Sequence, residues 1–336
     1  LYVGEGRDEK ILPNVVETAK FIWLVSLVYL ILGSAAFTAC GIWSVGMPAK
    51  EAVFHGVCNF MTGFDTGGFT PQSQSIIYYQ SASYELISVV VMIWGCINFN
   101  LHYALWNGRR SELWRDMEIK TFFITLSIAT FLVAIGLAKA HLYPSTVALM
   151  RRGAYQVISA HTGTGFQSVY APAFAHEWGP LAMLGTIFAM ALGVSVCSTT
   201  GGIKMLRIGI IAKAFREDIK KFLTSESAVV TMKFRHLRDI VLDDKQVRSA
   251  ALITLAYIIL YFLGAALGSF YGYPFHLALF ESTSAAGNVG LTCGITQAGM
   301  PTALKVVYIF QMGAGRLEFM SGLVLAGFLI SYIRGK

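Results

Sequence analysis

Three short glycine-rich turns hold the residues whose types and spacing could do chemistry. They read FMTGFDTGGF over Phe60–Phe69, SAHTGTGF over Ser159–Phe166 and SAAGNVGL over Ser284–Leu291. Each is too rich in glycine for a helix or strand, and each lies between apolar segments. Glycine lets backbone carbonyls approach a ligand closely and adopt conformations that side chains forbid. Rings of such carbonyls can replace the hydration shell of a permeating cation. A short helix directing its C-terminal end inward adds a partial negative charge that also favours a cation. One such turn could be an ordinary external loop or a helix break. Three at equivalent places, each after a short segment opened by Pro48, Pro144 or Pro274, read as one repeated device.

The elements around the turns repeat as well. Phe21–Trp43 is an apolar span, Ala49–Thr62 a half-span, and Glu85–Trp106 a second span. The pattern returns as Thr121–Tyr143, a half-span to Ser159, and an interrupted apolar stretch over Trp178–Ile211. It returns again as Ser249–Tyr271, Pro274–Ala286 and Ala303–Ile333. The spacing therefore divides the chain into a polar lead-in (1–20), a first unit (21–110), a second with a broken last helix (111–215), a polar connection (216–248) and a third unit (249–336). The fold class is an all-α membrane protein, with three visible span–pore-loop–span units arranged pseudo-symmetrically around a pore. Non-helical backbone at membrane depth is tolerated only where protein buries it or where it lines a watery cavity, so the half-spans must have something to face.

Composition agrees. Hydrophobic residues make up 55% and charged residues 13%, against about 25% charged in an ordinary soluble domain. The net charge of +7 comes from Lys and Arg in the connections between apolar segments. That is the positive-inside pattern of a multi-pass protein in the cell membrane and not a nucleic-acid surface. Cys40, Cys58, Cys96, Cys197 and Cys293 are scattered in apolar context and read as small buried thiols. No His/Glu/Cys spacing suggests a metal site and no nucleophile–base set suggests catalysis, so neither a cofactor nor an enzymatic activity is expected. The opening Leu1-Tyr2-Val3-Gly4, without Met, reads as the interior of a longer protein.

A few residues stand out against this background. Val194–Lys204 interrupts the last span of the second unit with Ser, Thr and paired Gly, which break a helix or let helices pack closely. Arg316 lies inside the last apolar stretch, where a charge is costly and marks function by default. Its alternative is a pair with Glu318 or a Glu of another helix. Asn98 sits at the matching depth of the first unit. Asp65 could concentrate cations at an outer mouth or cap the amides of its own turn. His161 reads as a packing or hydrogen-bonding group, and His55 and His276 as interfacial.

With these residues in view, the chain resembles the TrkH/KtrB/HKT superfamily of potassium and sodium transport proteins, most closely its TrkH branch. The resemblance covers essentially the whole chain and implies a selectivity filter for K⁺ with one central glycine per unit, here Gly68, Gly165 and Gly290. Thr66, Gly67, Thr162, Gly163, Thr164, Gly287, Asn288 and Val289 would line the same path. It implies a gate at Ser198, Thr199, Thr200, Gly201 and Gly202, with Arg316 hindering cations below the filter and Asn98 adding a polar contact. It further implies four units, of which the first is not visible here, together with a homodimer and cytosolic nucleotide-binding regulatory subunits of the TrkA type docked on the connection 212–248. On residues alone, that connection is equally a solvated face. A Na⁺ or mixed K⁺/Na⁺ path through the same fold is an alternative, since a Ser in the first unit of some relatives shifts selectivity. A secondary transporter with broken helices is another, although the repeats are parallel and not inverted.

Overall fold

A computed structural model of the chain describes residues 14–195, 200–224, 233–236 and 238–335. It is helical nearly throughout. Among the described residues, three helices are long and apolar enough to cross a membrane. These are α1 (Val15–Cys40, continued by a π-helical turn to Val45), α6 (Met117–Lys139) and α11 (Asp244–Phe270). At about 1.5 Å per residue, the 23 residues of α6 reach roughly 35 Å. Their exposed faces are apolar. Along α6, Ile124, Ile128, Phe131 and Ile135 recur at helical spacing and are all exposed, as a lipid-facing surface requires.

Each long helix packs on a half-helix: α2 (Ala49–Phe64), α7 (Thr146–His161) and α12 (Phe275–Gly287). These have 16, 16 and 13 residues, too few to cross. Pro48 and Pro274 occupy the N-cap positions of α2 and α12, where a missing N–H costs nothing. At α7 the start lies two residues past Pro144, and Ser145 caps it by accepting from the Ala148 N–H.

The third element of every unit is broken, and here the structure departs from the sequence reading, which placed a break only in the second unit. In the first unit α3 (Ala82–Gly95) and α4 (Phe99–Trp106) meet at 98°. Asn98 caps α4 by accepting from the Asn100 N–H. In the second unit α9 (Gly179–Ala191) and α10 (Met205–Leu223) are separated by Leu192–Lys204. In the third, α13 (Thr302–Arg316) and α14 (Met320–Ile333) are separated by Leu317–Phe319, with left-handed φ of 52° at Glu318 and 61° at Phe319. Apolar composition conceals such breaks, because Cys-Ile-Asn and Leu-Glu-Phe contain neither Gly nor Pro.

The remaining short elements among the described residues are a 3-10 turn (Ser75–Tyr79), α5 (Ser111–Arg115), α8 (Ala171–His176) and one antiparallel hairpin, β1 (Lys233–His236) with β2 (Arg238–Val241), in the polar connection. The hairpin is the one addition to the all-helical expectation among the described residues.

The core runs between units. Phe166, the residue after Gly165, is fully buried in the first unit's cluster with Phe37, Phe60 and Tyr84. Leu291, the residue after Gly290, is buried in the second unit's cluster with Leu137, Val157 and Trp178. Burying a side chain of this size stabilises by about 1.5–3 kcal/mol. Phe69, at the same position in the first turn, is 77% exposed.

Candidate pore and gate

The three turns have one construction. The N–H groups of Gly67, Thr164 and Val289 donate to the carbonyls of Thr62, Ser159 and Ser284 at 2.7, 3.1 and 2.9 Å. The hydroxyls of those same three residues donate to the carbonyls of Phe69, Phe166 and Leu291 at 2.6, 2.7 and 2.6 Å. Each hydroxyl lies six residues before Gly68, Gly165 or Gly290 and closes the turn like a clasp. The backbone is left-handed at Thr66, Gly163 and Asn288 (φ 53°, 69°, 53°) and again at Gly68, Gly165 and Gly290 (71°, 83°, 87°). A β-branched residue at φ 53° is a strained conformation that the surroundings must hold.

A second polar residue recurs nine positions before each glycine: Asn59, Gln156 and Glu281, all buried. Asn59 donates to the hydroxyls of Tyr79 and Tyr84, both at 2.7 Å. Gln156 accepts from the Ser168 N–H at 3.1 Å and donates to the Phe166 carbonyl at 3.3 Å. Glu281 accepts from the N–H groups of Cys293 and Ile295 at 2.9 and 3.2 Å, and from the hydroxyls of Thr292 and Thr296 at 2.5 and 2.7 Å. Each anchors the chain that leaves its turn. Sequence reasoning missed both sets, although laying the three repeats over one another by their glycines exposes the six- and nine-residue offsets.

The turns also touch one another. A Cβ built on Gly68 would collide with the carbonyl oxygen of Thr164, and one on Gly165 with that of Val289. Beside them lies a cavity of ≈ 530 Å³ whose wall includes Asp65, Gly68, Gly165, Asn288, Gly290 and Arg316. Asp65 and Arg316 thus face one space. Thr162 and Thr164 are fully buried and hydrogen-bonded to each other at 2.9 Å.

Beneath the turns runs the break between α9 and α10. Leu192 and Ile203 pair as a parallel bridge, and the N–H groups of Ile203 and Met205 donate to the carbonyls of Ala191 and Val194 at 3.1 and 3.0 Å. The excursion therefore begins and ends side by side. Ser198 and Thr199 lie outside the described residues. A Cβ on Gly163 would meet Thr200, and one on Gly201 would meet Asn288 and the Gly287 carbonyl at 2.8 and 2.9 Å. Thr200 and Gly201 thus lie against the second and third turns. Gly202 is left-handed at φ 79°.

Buried charge ties this excursion to the break of the third unit. Lys204, 1% exposed, donates from Nζ to the Thr200 carbonyl at 2.5 Å and lies 3.9 Å from Glu318. Arg207 donates to Glu318 at 2.5 Å. Glu318 therefore serves Lys204 and Arg207, while Arg316 is exposed toward the cavity and makes no ion pair among the described residues. Glu318, one of the partners expected for Arg316, is thus taken by Lys204 and Arg207.

On the far side, Ser195 of the excursion bonds the carboxylate of Glu118. Asp116, the N-cap of α6, accepts from the Glu118 N–H at 2.8 Å and meets His236 of β1 at 2.9 Å. Asp116, Glu118 and His236 are all buried, with their ligand-type atoms within 4.8 Å of one another. Sequence spacing gave no hint of this cluster, because His236 is 120 residues from Asp116. Arg235 grips Glu112 of α5 at 2.6 and 3.1 Å, which raises its already high pKa. Lys213 of α10 donates to the Lys233 carbonyl at 2.7 Å, and its pKa is lowered by burial and then by Lys120 and Arg216. The hairpin within the polar connection is thus tied to α5, α6 and α10.

Two histidines are hydrogen-bonded in the interior. His161 is buried, bonded to Thr125 and to the Ala189 carbonyl at 2.9 and 3.1 Å. His55 is not interfacial as expected. It is buried mid-helix and bonded to the Tyr79 hydroxyl at 2.7 Å.

A bundle of long apolar helices that carries half-helices ending in clasped turns is a multi-pass membrane protein of the pore-loop class. The chain belongs to the TrkH family of cation transport proteins, whose model matches residues 2–331. An uncharacterized cation transporter of Methanocaldococcus jannaschii is 28% identical over 326 residues, covering 97% of this chain and 62% of that protein. The Trk system potassium uptake protein TrkH of Salmonella typhimurium is 28% identical over 330 residues, covering 96% and 64%. The crystal structure of the potassium transporter TrkH from Vibrio parahaemolyticus superimposes with a TM-score of 0.76 at 24% identity, over 94% of this chain and 65% of that one. The chain thus spans a little under two thirds of the proteins it matches.

Proposed function

We propose that this chain is part of the membrane subunit of a potassium uptake system of the cell membrane. In this reading K⁺ passes the carbonyls of the three turns, with Gly68, Gly165 and Gly290 nearest the ion, and then an intramembrane gate. The observation that carries it is the contact of Gly68 and Gly165 with the carbonyls of Thr164 and Val289, which brings three glycine turns together at the ends of three half-helices. A helix C-terminus favours a cation, and no carboxylate is needed to hold it. The gate reading rests on Thr200 and Gly201 lying against the second and third turns, with Arg316 on the adjoining cavity wall. Named relatives are potassium uptake and cation transport proteins, which favours K⁺ over Na⁺.

A homodimer and cytosolic TrkA-type regulatory subunits complete the proposal, with the bolted hairpin as the natural handle for such a partner. The test is flux in proteoliposomes of the full-length protein. Gly165→Ser is expected to reduce K⁺ conductance and K⁺/Na⁺ selectivity together. Retention of both would remove the turns from the ion path.

A further inference from the structure

Between the first and second units, beside the break, lies a second cavity of ≈ 190 Å³ whose lining is apolar apart from Glu118 and Ser195, which bond each other. Its wall is built from the α3–α4 bend (Ile93, Ile97), from α5 and α6 (Leu113, Phe122), and from Val194 and Ser195 of the excursion. Apolar cavities of about 150 Å³ stay dry and take apolar molecules such as benzene. Two further lining residues, Trp114 and Phe123, are 66% and 40% exposed and stack on each other with centroids 6.0 Å apart. The cavity therefore opens on the same face of α6 that carries the exposed Ile124 and Ile128. Around α5, Arg109, Arg110 and Arg115 are exposed and make no ion pair among the described residues. Unpaired basic residues next to a tryptophan at the end of a spanning segment suit the anionic headgroups of the cytoplasmic leaflet.

We propose that this cavity is a binding site for a segment of one acyl chain of an anionic phospholipid, whose phosphate is held by the arginines around α5. An apolar slot opening on a lipid-facing surface next to uncompensated cations has the two-part chemistry of an amphiphile. A neutral lipid satisfies only half of it. Because Ser195 and Val194 form part of the wall, the occupying chain braces the excursion from outside the pore. That consequence rests on the gate reading, whereas the binding does not.

The test is native mass spectrometry of the full-length protein released from nanodiscs of phosphatidylglycerol and phosphatidylcholine in equal amounts. Wild type is expected to retain phosphatidylglycerol preferentially. Leu113→Phe and Ile97→Phe, which add bulk inside the cavity, should each weaken retention at least tenfold with unchanged melting temperature. Arg110→Gln with Arg115→Gln should weaken it several-fold. Equal retention by either folded filling variant, or equal retention of phosphatidylcholine by wild type, overturns the site. K⁺ flux measured in the same lipids separates the two claims. Binding lost in a filling variant with flux unaltered leaves the lipid site standing and removes its link to the gate.

Discussion

A side chain on Gly165 would have to occupy the place of the Val289 carbonyl oxygen, although the two residues belong to different units and lie more than a hundred positions apart. This pair defines what the turns tolerate. Gly165→Ala is expected to displace the third turn as well as the second. Conductance of K⁺ in proteoliposomes should fall by roughly tenfold or more, a change of about 1.4 kcal/mol at the barrier. Unaltered conductance would show that the two turns do not meet around the ion.

Arg316 and Glu318 are two residues apart and have separate surroundings, the first on the cavity wall and the second paired with Lys204 and Arg207. Removing the charge that faces the cavity with Arg316→Ala should raise flux while leaving the melting temperature near wild type. Glu318→Gln should do the opposite to stability, because it strands Lys204 and Arg207 in a buried place. Breaking one partner of such a network costs about 3–5 kcal/mol. Thermal unfolding in detergent measures the second and ion flux the first.

Glu281 holds the strand that leaves the third turn through at least four accepted hydrogen bonds. Asn59 and Gln156 do related work without charge, so shape and acceptor position matter more than the charge. Glu281→Gln should therefore retain most K⁺ conductance. Glu281→Ala strands several buried donors, each worth about 1–3 kcal/mol, and should lower both the melting temperature and conductance. Equal loss in both variants would show that the charge is what counts.

His236 links the hairpin to Asp116, whose neighbour Glu118 bonds Ser195. His236→Ala is expected to loosen β1 and β2 without unfolding the bundle, since Phe234 remains buried with Met117, Leu206 and Ile210. Hydrogen exchange of residues 233–241 should speed up by tenfold or more, with α6 and α11 unchanged. Uniform acceleration along the whole chain would mean that the histidine supports global stability.

Much of this was legible in the sequence because the repeats carry it. Three Pro-opened half-spans, three glycine turns and the flanking apolar runs are local patterns, and local patterns survive without coordinates. What the sequence hid is of two kinds. Breaks at Cys96–Asn98 and Leu317–Phe319 contain no helix-breaking composition, and their geometry comes from packing: a Cβ on Gly95 would collide with the Phe64 carbonyl, and one on Gly315 with that of Ala286. These are equivalent places in two units, where the half-helix end drives the partner helix aside. The other kind is long-range. Nothing near Asp116 announces His236, and nothing near Arg207 announces Glu318. The anchors Asn59, Gln156 and Glu281 fall between, since they differ in residue type and share only their offset.

The arrangement of the turns has a handedness. The second unit's carbonyl limits the residue allowed at Gly68, the third unit's carbonyl limits Gly165, and in the same sense Phe166 seats in the first unit and Leu291 in the second. Substitutions are therefore constrained in sequence order, each unit dictating to the one before it. Gly68 and Gly165 are fixed twice, by left-handed backbone and by a neighbour's oxygen, whereas a Cβ on Gly290 meets nothing within 4 Å and its φ of 87° is the single constraint among the described residues. Variation among relatives of this chain should be read along that direction, with Gly165 the least free to drift.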